Sequence, residues 1–213
     1  MKSLIFFLLL TGFYAASGQT QNRRVGGQDF VFKTESRLNE DAPDSIRKLT
    51  LYRDGKPLLT HTIHETAGDH NSEAVALGTF ETTDSTIVFY SYWSRAGDAP
   101  ASPYGVRKQV YSVGQNGTLR RTHAVLYIET ARSGEWAHKG ITYLFDPPQN
   151  AAQEAALQQY IREVETQYGG RFVRGRAQKA LFREVRTKLK KEIAEATRNW
   201  KERYSNMLGG YKI

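Results

Sequence analysis

Between residues 29 and 146 the chain is a succession of strand-length segments joined by residues that turn a backbone sharply. No other feature constrains the fold as much. Leu49 to Arg53 and Leu58 to Ile63 flank Asp54-Gly55, and Asp-Gly accepts the positive φ of a tight primed turn. Val106 to Val113 and Leu119 to Glu129 flank Gln115-Asn116-Gly117-Thr118, a second hairpin signal. Val75 to Phe80 and Ile87 to Trp93 are separated by Thr83-Asp84-Ser85.

Ile87 to Trp93 is apolar or aromatic on both alternating sets, which predicts a central strand covered on both faces. Leu119 to Glu129 places Ala124, Leu126 and Ile128 on one face and His123, Val125 and Tyr127 on the other. With Phe30-Val31-Phe32 first and Ile141 to Phe145 last, seven or eight strands result. Their connections are mostly short, so the sequence predicts an antiparallel β-meander, either a curved sheet or a partly closed barrel.

Asp146-Pro147-Pro148 ends that pattern, and two helices follow. Asn150 is a helix cap with Gln153 at the capping-box position. Leu157, Tyr160, Ile161, Val164 and Tyr168 form one apolar stripe, and Gly169-Gly170 stops the helix. A second helix is predicted over residues 176–207, with the stripe Leu181, Val185, Leu189, Ile193, Ala196, Trp200 and Tyr204. At ~1.5 Å per residue it spans about 45 Å, so part is expected to project or pair with a second copy. The expected class is α+β, with divisions at 1–18 (signal peptide), 19–28 (flexible lead-in), 29–146 (β domain) and 147–213 (helical region).

Charge is partitioned in the same way. Residues 171–213 carry 13 Lys and Arg against 4 Glu, while the rest of the chain is close to neutral. The second helix separates its charges around the stripe. Lys179, Arg183, Arg186, Lys190 and Lys201 fall on one flank, a candidate surface for an anion. Glu184 with Lys188 and Lys191 with Glu195 are spaced to pair along the helix.

The chain begins with a basic residue, an apolar run from Leu4 to Tyr14 and the small residues Ala16-Ser17-Gly18, the pattern of a signal peptide cleaved before Gln19. Export to a periplasmic or extracellular space is therefore expected. The chain has no cysteine, which excludes disulfides, thiolate catalysis and cysteine-held metal.

Site candidates are few. Residues 94–105, with Gly97, Pro100, Pro103 and Gly105, read as a loop of about a dozen residues, a length that is often functional. Trp93, Arg95, Asp98, Ser102, Tyr104 and Arg107 are its candidate ligand-binding residues. The stretch HTIHETAGDH matches no standard zinc spacing, and His61 reads as a hydrogen-bonded, part-buried side chain. Neither metal nor cofactor is expected. The nucleophile-elbow, metalloprotease, phosphate-loop and dinucleotide motifs do not occur.

The leading expectation is a non-enzymatic binding or envelope-interaction protein. The 94–105 loop would recognise a ligand and the basic helix an anionic partner: a lipid head group, an envelope polymer or an acidic protein. Nucleic acid is the least expected partner. The alternatives are a hydrolase of an envelope polymer using Glu129, Asp98 and His123, and a structural oligomer formed through the helix.

Overall fold

A computed structural model describes residues 18–38, 45–69, 72–97, 103–130, 147–196 and 198. The expected leader, the Ile141–Phe145 strand, and Trp200 and Tyr204 of the helical stripe lie outside the described residues. The architecture is mixed α+β: a nine-stranded sheet that does not close, followed by helices. The strands are β1 (Gln19–Val25), β2 (Gln28–Leu38), β3 (Ser45–Arg53), β4 (Lys56–Asp69), β5 (Ser72–Thr82), β6 (Thr86–Gly97), β7 (Pro103–Val113) and β8 (Leu119–Thr130), then the two-residue β9 (Arg171–Phe172). Each lies beside its neighbour in sequence; β1 to β8 pair antiparallel, and β9 pairs parallel with β8.

Two expectations change. Residues 19–25 form β1 rather than a loose lead-in, because Gly26 and Gly27, both at positive φ, turn the chain so that Val25 pairs with Gln28. The interruption between β6 and β7 is also shorter than a dozen residues, since β6 runs to Gly97 and β7 begins at Pro103. Ladder pairing from Thr86 with Ser112 up to Trp93 with Gly105 carries the strands into the segment that reads as loop. Other turns fall where the sequence puts them. Asp54 and Gly55 take φ of 50° and 74°, as a primed two-residue turn requires.

The sheet curls strongly. The Phe32 and Phe80 rings stack at 4.4 Å, although β2 and β5 are three positions apart and would lie ~14 Å from each other in a flat sheet. Phe30, Phe32, Leu49 and Leu51 of β2 and β3 thus pack against Ile87 and Phe89 of β6, all nearly inaccessible to solvent. One end of the curl is fastened by turns: the Gly26 N–H donates to the Asp84 carbonyl, the Val113 N–H to the Ser85 carbonyl, and the Gln28 side-chain amide to the Gln115 carbonyl.

The helices are α1 (Ala151–Tyr168) and α2 (Gly175–Lys188), with residues 190–196 helical again after a turn at Leu189. Asn150 caps α1 by accepting from the Gln153 N–H at 3.0 Å, and the Gln153 side chain accepts from the Gln149 N–H. Gly169, in the left-handed conformation, ends it. The α1 end and α2 lie on opposite faces of the sheet near β8, with β9 between them. Tyr168 meets Trp93 and Arg107 on the inner face, the one that carries Phe89. Glu184 and Phe182 meet Tyr90, Lys108 and Tyr127 on the outer face.

Candidate functional site

Two places concentrate polar chemistry: the solvent flank of α2, and the inner face where β6 and β7 pass under the end of α1.

Helix α2 docks through the stripe that its sequence predicts. Leu181 is 4% exposed and Val185 and Leu189 are fully buried, joined by part-buried Ile193 and Ala196. Specific polar contacts fix its position. The Lys108 ammonium donates to Glu184 at 2.5 Å, the Tyr90 hydroxyl donates to the same carboxylate at 3.2 Å, and Lys188 ion-pairs with Glu81. The expected Glu184–Lys188 pair along the helix is therefore replaced by two bridges to the sheet. Burial, together with the Glu184 and Glu81 charges, holds the Tyr90 phenol well above its ordinary range, so it stays a donor.

The opposite outcome holds on the solvent flank. Lys179, Arg183, Arg186 and Lys190 are exposed and line one open groove of about 850 Å³, with Phe182 as its apolar part. Lys190 lies eleven positions after Lys179, so the row extends ~16 Å along the helix. Among the described residues none of these four ion-pairs with a carboxylate. Lys201, the fifth cation of that flank, lies outside the described residues.

On the inner face, strand alternation puts Phe89, Ser91 and Trp93 of β6 beside their ladder partners Gln109, Arg107 and Gly105 of β7. Gly105 is required here, because a Cβ at that position would run into the Trp93 ring and the Tyr127 carbonyl. The indole passes across it and stacks on Tyr168 at 5.5 Å with the planes 6° apart. Arg107 donates from Nη1 to the Tyr168 carbonyl at 3.0 Å, satisfying an acceptor at the end of α1. Ser91 Oγ lies 3.3 Å from His61 Nε2, and the imidazole rests on the Phe89 ring at 4.7 Å.

His61 is thus the hydrogen-bonded side chain its sequence context predicts, more fully buried than expected at 6% exposure. Burial above all, with the Arg107 charge adding and a backbone hydrogen bond with Tyr90 opposing, lowers its pKa to about 4. The imidazole is neutral at pH 7. Burial likewise holds Arg107 below its usual range, with Arg121 adding and Tyr111 opposing. Two donors are left over: Trp93 Nε1 and Arg107 Nε are both closed off from solvent and have no hydrogen-bond partner. Such a group costs about 1–3 kcal/mol, and more where charged.

The sequence candidates divide accordingly. Trp93 and Arg107 both contact the end of α1, one through the Tyr168 ring and the other through its carbonyl. Asp98 and Ser102, and the side chains of Arg95 and Tyr104, lie outside the described residues. Of the hydrolase set, His123 is exposed on β8, and the side chains of Asp98 and Glu129 lie outside the described residues. A polar recess of about 560 Å³ beside His123 includes Arg121 and Glu165. Both are engaged in structure, Arg121 donating to the Gly169 carbonyl and Glu165 accepting from the Phe172 N–H. Among the described residues no group of His, Asp and Glu is placed to hold a metal ion, and no helix is long and apolar enough to cross a membrane.

Sequence reasoning overlooked Ser91 and Gln109. A usable signal was present for Ser91, a lone polar residue within the apolar and aromatic run Ile87 to Trp93, whereas Gln109 follows Arg107 and Lys108 and does not stand out. No protein-family model matches this chain, and neither does any curated protein or solved structure.

Proposed function

We propose that this is an exported, non-enzymatic binding protein that attaches to an anionic polymer of the cell envelope through the basic flank of α2. The single supporting observation is the row Lys179, Arg183, Arg186 and Lys190 along one open groove, without carboxylate partners among the described residues. An exposed row of like charge adds repulsion to a fold that already has stabilising ion pairs elsewhere, and a linear polyanion relieves it along the whole row.

A polymer is favoured over a lipid surface by the fate of the apolar stripe. A helix that lies in a membrane interface buries its apolar face among acyl chains. Here Leu181, Val185 and Leu189 are buried against the sheet, so Coulombic attraction is what the flank offers. The signal-peptide-like pattern of residues 1–18 and the cysteine-free composition support an envelope setting. Ligand recognition near the 94–105 segment rests on Trp93 and Arg107, the described side chains that flank it.

The test is retention of the full chain on immobilised polyphosphate, and separately on vesicles of phosphatidylglycerol, across a salt series. Retention on polyphosphate should fall steeply with salt. Changing Lys179, Arg183, Arg186 and Lys190 together to Gln should weaken it at least tenfold. Equal retention of the two proteins removes α2 from the account, and stronger retention on vesicles than on polyphosphate removes the polymer.

A further inference from the structure

We propose that the inner face beneath the end of α1 is a second binding site, for a small carboxylate, built from Arg107 and Trp93 with Ser91 and His61 at its back. This site is independent of the α2 groove.

The register brings its parts together. Trp93 is the ladder partner of Gly105, and Arg107 lies two residues further along β7 on the same face, opposite Ser91. Ser91 in turn contacts His61. Trp93 and Arg107 also share Tyr168, one through its ring and the other through its carbonyl. Two N–H groups thus belong to one face of adjacent strands beside Tyr168, and neither Trp93 Nε1 nor Arg107 Nε has an acceptor.

Charge points the same way. Arg107 is largely enclosed, and among the described residues no carboxylate ion-pairs with it. The titratable groups that act on its charge are Tyr111 and Arg121, and the second is another cation. His61 stays neutral beside it and adds no counter-charge. A water molecule would satisfy a donor but leave the guanidinium uncompensated. A carboxylate does both, because its two oxygens can each accept one N–H while its charge offsets the cation. Trp93 and Arg107 are part-exposed as whole residues although the two donor atoms are covered. The stacked Trp93 and Tyr168 rings give the site an apolar wall, which suits a carboxylate on a small apolar body.

The experiment is titration of the full chain with acetate, benzoate and inorganic phosphate at constant ionic strength. It is followed by thermal unfolding and by the indole N–H resonance of Trp93, identified as the one absent from Trp93→Phe. Benzoate or acetate should shift that resonance saturably and raise the unfolding midpoint by several degrees. Trp93→Phe should weaken the effect on the midpoint about tenfold. Arg107→Met should abolish both effects while being no less stable than the parent without ligand. Arg107→Gln serves if the Met variant does not fold, and should show the same loss. The four-Gln variant of the α2 groove should respond like the parent, which separates this site from the groove. No saturable shift with either carboxylate, a response to phosphate alone, or an equal response in the Arg107 variants would overturn the proposal.

Discussion

The two faces of the sheet are covered by different means. The inner face toward the β1–β3 end is filled by the sheet itself: curling brings Phe30, Phe32, Leu49 and Leu51 onto Ile87 and Phe89, with Phe80 and Tyr111 as further rings. The outer face depends on a helix that arrives from 175 onward, held by Leu181, Val185 and Leu189 and by the Glu184 and Lys188 bridges. One core is made by strands joined through short turns. The other must wait for the last described part of the chain. An aromatic core closed by curvature should therefore govern global stability, and the helix-covered face should be the part that loosens locally.

That contrast can be broken most directly at Phe89, which is 1% exposed and contacts Phe80, Tyr111 and His61. Phe89→Ala should cost about 4 kcal/mol in urea unfolding, with all regions lost together. Leu181→Ala should cost about 3 kcal/mol or less, and should speed amide exchange in α2 while β2 and β3 remain protected. A larger loss for Leu181→Ala, or equal exchange in the two regions, would reverse the ranking.

The next effect belongs to His61. Its folded pKa of about 4 lies below the ordinary 6.5, so between those values the unfolded chain takes up a proton that the folded chain refuses. Its contribution is present above pH 6.5 and is lost as pH falls toward 4, by about 3 kcal/mol across the window. His61→Gln should flatten that part of the stability curve. An unchanged slope would place the acid sensitivity elsewhere. The smallest effect is expected at the part-exposed Lys108–Glu184 bridge on the outer face. Glu184→Gln should cost about 1 kcal/mol or less, since solvent screens the pair, and should be read as faster exchange in α2 before any change in global unfolding.

Much of this arrangement could be read from local sequence. Asp54-Gly55, Asn150 and Gly169 act through atoms within a few residues of themselves, so their chemistry announces a turn, a cap and a stop. The alternation of β8 and the stripe of α2 were legible for the same reason: periodicity names the buried face. What periodicity does not name is what covers that face. The bridges from Glu184 to Lys108 and from Lys188 to Glu81 span 76 and 107 residues, and the helical spacing of Glu184 and Lys188 pointed instead to each other. Gln19 to Val25 looked loose because its residues are polar, yet an edge strand needs a partner on one side alone, and the Gly26-Gly27 turn supplies it. Trp93 was singled out for its proximity to glycines and prolines. Its actual environment is set by Gly105 across the ladder and by Tyr168, which lies 75 residues further along the chain.

The polar character of β1 has a consequence for crowding. Among the described strands β1 pairs with β2 alone, so its outer backbone groups are free to template another strand. Arg23 and Arg24 are both exposed there. Two molecules meeting edge to edge would bring four guanidinium groups onto one short seam, and mutual repulsion would oppose the growth of a continuous ribbon wherever dissolved salt is scarce.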